Sequence, residues 1–320
     1  MNDIVLVTGA GGFAGSHLVQ LLAGTNTVVG WVRSSPPTEI AGLASWAHVD
    51  LLDREQVRAA VAALRPTMVY HCAGVAQVAE SWEDPGRPLA GNVLATHHLL
   101  DALRRAAVRC RVLVTGSAAI YAPSSEPVAE THTIAPVSPY AVSKLAQEQL
   151  ALRAIQEDGL DVVVTRSFNH TGPRQTPAFV APSMARQIAL IEKGALEPVI
   201  RVGNLEARRD LTDVRDVVLA YTALMESGRP GTVYNIASGV GRSIRSILDA
   251  LVSRSRVPLQ IEADPARMRA SDVPVLVGDA SRLARETGWR PLVSFDRMLD
   301  DLMGYWRGQV EKLKSGEVEK

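Results

Sequence analysis

The segment that most constrains this chain stands at its start. Ile4-Val5-Leu6-Val7-Thr8 is an apolar run of strand length, and Gly9-Ala10-Gly11-Gly12-Phe13-Ala14-Gly15 follows it directly. His17 to Leu22 then continues as an amphipathic helix. Glycines at 9, 12 and 15, between a strand and a helix, allow a tight turn. They also bring backbone N–H groups and a helix N-terminus close to a pyrophosphate.

The first half repeats the strand–helix rhythm. Strand-length apolar runs at 4–7, 27–32, 46–49, 67–72, 111–115 and 161–166 alternate with helical patterns. Between two of them, Val57, Ala60, Val61 and Leu64 follow i, i+3, i+4, i+7 spacing. Asp53 is placed to cap that helix, Gln56 stands three residues on, and Pro66 stops it. Apolar strands alternating with helices predict a parallel sheet covered on both faces. After residue 167 the rhythm breaks at Pro173, Pro177 and Pro182. A helix from Ser183 to Lys193, a charged loop from Gly203 to Arg209 and a strand over 232–236 returning to the sheet are expected. The remainder reads as helices and turns, with a polar tail after Gly308 that should fray.

Bulk properties narrow the partners. With 320 residues, 47% of them hydrophobic, the chain can bury a large core in one or two joined domains. Lys+Arg and Asp+Glu both number 34, which argues against nucleic acid or a membrane surface held by bulk charge. Cys72 and Cys110 lie in or beside apolar runs at a spacing unsuited to a metal, so buried reduced thiols and no metal are expected. No apolar stretch approaches the ~18 residues of a membrane span. The N-terminus enters a strand rather than a signal peptide, and a cytoplasmic location is expected.

The end of the second strand bears on the cofactor. A free ribose 2′-hydroxyl is usually held by an acid there. Here the chain runs Gly30-Trp31-Val32-Arg33-Ser34-Ser35, with no acid and one arginine. Arg33 suits a 2′-phosphate, so NADP(H) is expected; an ordinary surface arginine is the alternative. Phe13 within the loop, Asp50 and Leu51 after the third strand, and Ala73 and Gly74 after the fourth complete the expected cofactor contacts.

Downstream lies a proton-transfer group. Ser138-Pro139 reads as an N-cap followed by proline at the first helical position. Tyr140 and Lys144 then share one helix face. A tyrosine titrates near pH 10 in water, and a neighbouring ammonium lowers that value. Ser117 closes the fifth strand at the carboxyl edge, where ligands bind in such sheets, and its hydroxyl can hold a substrate oxygen. With the glycine loop, this points to hydride chemistry on a carbonyl or alcohol.

These motifs resemble the extended short-chain dehydrogenases/reductases that modify nucleotide sugars, over nearly the whole chain. The resemblance implies an α/β architecture with a Rossmann, doubly wound parallel-sheet domain over 1–167 and residues 211–237 returning to the sheet. It implies a smaller C-terminal α/β substrate domain from 168–210 and 238–320. Ser117, Tyr140 and Lys144 would be catalytic, Tyr140 and Lys144 also touching the cofactor, and Asn92 would be a structural asparagine. The segments Ser167 to Arg174, Val202 to Asp210 and Arg267 to Val273 resemble the branch of GDP-mannose dehydratases and GDP-4-keto-6-deoxymannose reductases. In that light Arg209 and Arg269 offer bidentate donors to a diphosphate. Asp272 accepts from ribose hydroxyls or a guanine edge, Asn169 bonds sugar or phosphate, and Ser81 matches a sugar-facing serine. Surface salt bridges are the alternative.

Dehydratases of this branch resemble one another in carrying acidic residues after the catalytic serine, and relatives that epimerise C3 and C5 carry a cysteine at the second of those positions. This chain has Ala118-Ala119, which move no proton, and His170 alone cannot serve both faces of the sugar. The expectation is NADPH-dependent reduction of the C4 ketone of GDP-4-keto-6-deoxy-D-mannose to GDP-D-rhamnose. A nucleotide-sugar 4-epimerase, a 4,6-dehydratase of the same family and a non-catalytic cofactor-binding protein are the alternatives. Leu94, His98, Leu99, Ala102 and Leu103, with Leu145, Leu150 and Leu152, put apolar residues beyond one stripe on two helices. In relatives such helices pair across a two-fold axis, so the resemblance implies a homodimer through a four-helix bundle.

Overall fold

The computed structural model describes residues 3–268 and 273–313. Strands β1 (Ile4–Thr8), β2 (Thr27–Val32), β3 (Ser45–His48), β4 (Met68–His71), β5 (Arg111–Ser117) and β6 (Asp161–Ser167) fall within two residues of the predicted runs. They are followed by β7 (Asn169–Thr171), β8 (Val199–Val202), β9 (Arg208–Asp213), β10 (Val233–Ile236), β11 (Gly241–Ser243), β12 (Gln260–Ala263) and β13 (Val275–Leu276). Seven strands form one parallel sheet in the order β10-β6-β5-β4-β1-β2-β3. The strand order reverses direction between β1 and β4, and the crevice at the carboxyl ends there is where such sheets bind ligands.

The longer helices are α1 (Phe13–Leu22), α2 (Arg54–Leu64), α3 (Ala95–Arg105), α4 (Pro139–Asp158), α5 (Val180–Glu192), α6 (Val214–Ser227), α7 (Ile244–Val252), α8 (Ser281–Thr287) and α9 (Phe295–Lys312). Alternation along β1 feeds two cores. Val5 and Val7 pack with Leu18, Val217 and Tyr221 on one face. Leu6 packs with Val57, Leu99 and Val112 on the other. Each such aliphatic side chain, fully buried, contributes ~1.5–3 kcal/mol. A third core joins Ile188, Ile200, Leu248, Leu302 and Trp306 in the C-terminal part.

Local signals hold where they are local. Asp53 caps α2 by accepting from the Glu55 and Gln56 amides at 3.1 and 3.0 Å. Gln56 does not close a reciprocal box; its Oε1 accepts from the Asp50 amide at 2.6 Å. Helix α5 starts at Val180, before the predicted Ser183, and takes Pro182 into its first turn, where an N–H has no helical partner to lose.

Two readings of the second half need correction. The charged loop expected at Gly203 to Arg209 ends in strand β9, and the region expected to hold only helices and turns contains β11, β12 and β13. β9 pairs with β7, β11 and β13, and β12 pairs with β8. These strands are short, and β9 and β11 are polar, so their hydrogen bonds come from partners distant in sequence rather than from a periodic apolar face. Asp210, fully buried, pins this sheet. Its carboxylate accepts from the amides of Ser238, Gly239 and Gly278 and from the Ser238 hydroxyl.

The apolar excess on the first predicted pairing helix is largely used internally, while Leu145, Leu150 and Leu152 on the second are half-buried. Leu99, Ala102 and Leu103 are buried, and His98 Nδ1 donates to the Leu51 carbonyl at 2.9 Å. What stays exposed is Leu94 and Val142, with Trp82, Leu89 and Val137 nearby in sequence. No helix among the described residues is long and apolar enough to cross a membrane.

Candidate active site

The glycine loop takes the form its spacing demands at two positions. Gly9 has φ +65°, and a Cβ there would lie 2.7 Å from the Ala73 backbone. A Cβ on Gly15 would lie 2.2 Å from the Gly9 carbonyl oxygen. Helix α1 begins at Phe13, four residues before the predicted His17, so the last glycine belongs to its first turn. Gly12 is the N-cap, with no side-chain cap and no acid in the first turn. The first-turn N–H groups are therefore left for an anion. The Phe13 ring stacks on His170 at 5.6 Å and meets His17 edge-on at 5.7 Å, tying the loop to β7.

Arg33 is exposed just past β2 and forms no ion pair among the described residues, so its guanidinium is available to a phosphate. Asp50 is exposed, with Oδ1 accepting from the Leu52 amide at 3.0 Å, and Leu51 is buried beside it. Across the crevice the Ala73 amide donates to Thr8 Oγ1 at 3.3 Å. Gly74 adjoins Asn92, which lies in a π-helical turn (Leu89–Leu94) leading into α3. Asn92 Oδ1 accepts from the Val75 amide at 2.8 Å, while its Nδ2 donates to the Val75 carbonyl and to Ser143 Oγ. That asparagine laces the β4 loop to α4.

Ser138 caps α4 by accepting from the Ala141 amide at 3.1 Å, with Pro139 at the helix start. Tyr140 and Lys144 are buried one turn apart, with Ser117 at the end of β5 beside Tyr140. The electrostatics differ from expectation. Burial raises the Tyr140 pKa above its ordinary 10, opposed only by the nearby Ser117 hydroxyl. Lys144 Nζ directs two of its three N–H groups elsewhere, donating to the Thr115 carbonyl at 2.7 Å and to Gln147 Oε1 at 2.6 Å. Burial lowers its own pKa to about 8. Desolvation, which spacing does not report, sets both directions.

Other expected contacts divide. Asn169 is exposed on β7 with its side chain outside the hydrogen bonds of the described residues. Arg209 is half-buried on β9, its Nη1 donating to the Arg208 carbonyl at 2.9 Å. Arg269 and Asp272 lie outside the described residues. Ser81 corrects the reading of a sugar-facing hydroxyl: it is fully buried, its Oγ donating to the Val78 carbonyl and accepting from the Tyr140 amide. It supports the start of α4 instead. Ala118 sinks into an apolar cluster with Tyr121, Val128 and Phe168, whereas Ala119 is half-buried. His170 donates Nδ1 to the Phe168 carbonyl at 3.0 Å, and burial lowers its pKa, so it is neutral.

Sequence reasoning missed a brace under the site. Arg166 and Glu148, both buried, form a bidentate pair at 2.8 and 2.6 Å, and Arg166 also donates to Tyr121. The signal was an arginine in the strand just after Val162-Val163-Val164. A buried pair of this kind fixes α4 against β6 but is weak evidence for net stability.

Comparison with known proteins sets this geometry in context. The family described as GDP-mannose 4,6 dehydratase matches residues 6–302. GDP-6-deoxy-D-mannose reductase of Pseudomonas aeruginosa is 36% identical over 98% of this chain and 100% of its own. The solved structure of RMD from Pseudomonas aeruginosa complexed with NADPH superposes with a TM-score of 0.84 at 34% identity, covering 96% of this chain and 99% of that one. UDP-glucose 4-epimerase of Thermus thermophilus, solved with NAD, gives a TM-score of 0.86 at 32% identity, covering 95% of this chain and 99% of that one.

Proposed function

The chain belongs to the GDP-mannose 4,6 dehydratase family, and from that premise we propose that it works as a reductase, turning GDP-4-keto-6-deoxy-D-mannose into GDP-D-rhamnose with NADPH. The observation that carries this is Ala118-Ala119 directly after Ser117, one side chain buried in apolar packing and neither able to move a proton. The relative named as a GDP-6-deoxy-D-mannose reductase supports the same reaction. In this reading residues 1–167 and 211–237 hold the cofactor, and 168–210 with 238–320 hold the sugar nucleotide.

NADPH supplies the hydride when bound. Its pyrophosphate fits the first-turn N–H groups of α1, from Phe13 to Gly15, with Gly9 and Gly12 shaping the turn that leads into them, and Arg33 takes the 2′-phosphate. Asp50, Leu51, Ala73 and Gly74 line the rest of that groove. Ser117 holds the C4 oxygen of the sugar. Tyr140 passes its hydroxyl proton to that oxygen as the C4–H bond forms, so ketone, hydride and proton balance to a secondary alcohol. Burial keeps the Tyr140 hydroxyl protonated at neutral pH, the state a donor needs. Lys144 orients the nicotinamide ribose. Asn169 and Arg209 bind sugar and diphosphate, joined by Arg269 and Asp272.

Incubating the protein with GDP-mannose, a separate 4,6-dehydratase and NADPH should consume NADPH and yield GDP-D-rhamnose, identified by NMR of the purified sugar nucleotide. Unchanged NADPH absorbance, or solvent deuterium at C3, C5 or C6 when purified GDP-4-keto-6-deoxy-D-mannose replaces the coupled dehydratase step, would falsify the assignment. The cofactor preference has its own test. Arg33→Ala should weaken NADPH binding by roughly 10- to 100-fold, the loss of one charge-assisted contact, and leave NADH almost unaffected. Equal losses for both dinucleotides in fluorescence titrations would remove Arg33 from the phosphate site.

The same reading includes a homodimer and a cytoplasmic location, where NADPH is regenerated. Exposed Trp82, Leu89, Val137 and Val142 line a groove of about 330 Å³ beside α4, and Leu94 is exposed near the start of α3, a surface suited to the same surface of a second copy. Val142→Glu should convert a dimer to a monomer in sedimentation velocity. A wild-type monomer would refute the pairing.

A further inference from the structure

Lys144 ends a buried file of hydrogen bonds that runs back to the glycine loop. Its ammonium donates to Gln147 Oε1 at 2.6 Å, and Gln147 Nε2 donates to Thr96 Oγ1 at 2.8 Å. His71 Nε2 lies 2.8 Å from the same Thr96 oxygen. On the far side of that ring, Nδ1 lies 2.8 Å from Thr8 Oγ1, which also accepts from the Ala73 amide. Gln147, Thr96, His71 and Thr8 are all fully buried. The file crosses α4, α3, β4 and β1 in turn.

Donor counting fixes the direction of every bond. The one hydroxyl proton of Thr96 goes to the Asn92 carbonyl at 2.6 Å, because a carbonyl only accepts. Thr96 Oγ1 must then accept from both Gln147 and His71. His71 therefore carries its proton on Nε2, and Nδ1 accepts from Thr8. The Gln147 amide has a single workable orientation, since the reverse would turn its NH₂ toward the ammonium. Burial, with the Lys144 charge acting in the same sense, lowers the His71 pKa to about 3 and keeps the ring neutral.

We propose that Gln147, Thr96 and His71 are positioning residues that hold the Lys144 ammonium in place and couple it to the Thr8–Ala73 edge of the cofactor loop. Gln147 offers Lys144 a neutral dipole and no counter-charge. The other titratable groups against it are Tyr140, neutral His71 and Cys72, whose thiol burial pushes up to about 12. Lys144 thus keeps a charge that is easily lost on the alkaline side. The proposal rests on Lys144 serving the reaction described above, but its test need not depend on turnover.

The chain has five lysines, so a ¹³C-lysine NMR titration of the full-length protein follows Lys144 directly, assigned through Lys144→Arg. Gln147→Glu should raise the Lys144 midpoint by at least ~1 pH unit, as an added neighbouring carboxylate does, and carry the alkaline limb of the kcat profile with it. Gln147→Met should lower kcat by roughly 10- to 100-fold through misplacement of the ammonium, with NADPH affinity within about threefold. ¹⁵N shifts should show His71 as the Nε2–H tautomer from about pH 5.5 to 8.5. An unmoved Lys144 midpoint in Gln147→Glu, or wild-type kcat in a folded Gln147→Met, overturns the proposal. If Gln147→Met fails to fold, the Gln147→Glu titration decides alone. A wild-type protein inert toward the keto sugar nucleotide would sink the functional reading and still leave that titration to judge the file.

Discussion

Replacing Tyr140 with phenylalanine is expected to cut turnover at least ~100-fold while NADPH binding stays intact, the scale of losing a positioned proton donor. The substitution removes one oxygen from a buried ring and leaves the α4 start, held by Ser138 and Ser81, unchanged. Ser117 keeps the Ala119 amide, which donates to its Oγ at 3.2 Å. Single-turnover decay of NADPH absorbance, beside a fluorescence titration of the cofactor, separates the two effects. Turnover within a few-fold of wild type would move the proton donor elsewhere. The pH profile carries the same logic. A tyrosine raised above 10 stays protonated through neutrality, so the reductive rate should be flat there. It should fall above about pH 8, where Lys144 loses its charge.

Gly15→Ala should abolish cofactor binding for practical purposes. The new Cβ would sit 2.2 Å from the Gly9 carbonyl oxygen, 2.9 Å from its carbon and 3.0 Å from Ala10 Cα, all backbone atoms that no rotamer change can clear. Relief requires α1 to shift away from the loop, which takes its first-turn N–H groups out of line with the pyrophosphate. Losing two charge-assisted hydrogen bonds, at ~1.5–3 kcal/mol each, weakens NADPH binding by at least ~100-fold. The overpacking itself costs a further ~1–3 kcal/mol of stability. Calorimetric titration and thermal melting read the two terms. Gly42→Ala is the control, since its Cβ meets nothing within 4 Å. Near-normal NADPH affinity in Gly15→Ala would show that the pyrophosphate does not lie on this loop.

The central sheet was legible because its inner strands, such as β1 and β5, are buried on both faces and carry apolar runs that stand out in the sequence. The caps Asp53 and Ser138 were legible because each acts on amides two or three residues away. Strands β9, β11 and β13 were not, since β9 and β11 are polar, β13 is two residues long, and such strands are defined by their neighbours. Ser81 shows the same limit within the site. A serine near a pocket reads as a ligand contact until the fold shows its hydroxyl already taken by Val78 and Tyr140.

What the residue order alone decides here is short-range. Glycine at 9, 12 and 15, Tyr140 four residues before Lys144, and alanine at 118 and 119 name the chemistry the chain can perform. The state of those groups belongs to the assembled molecule. Tyr140 is raised rather than lowered, and Lys144 faces Thr115 and Gln147, because packing against β5 strips away water and brings in partners that no local spacing encodes. Desolvation depends on everything that surrounds a group, and in this chain most of what surrounds the site arrives from distant sequence.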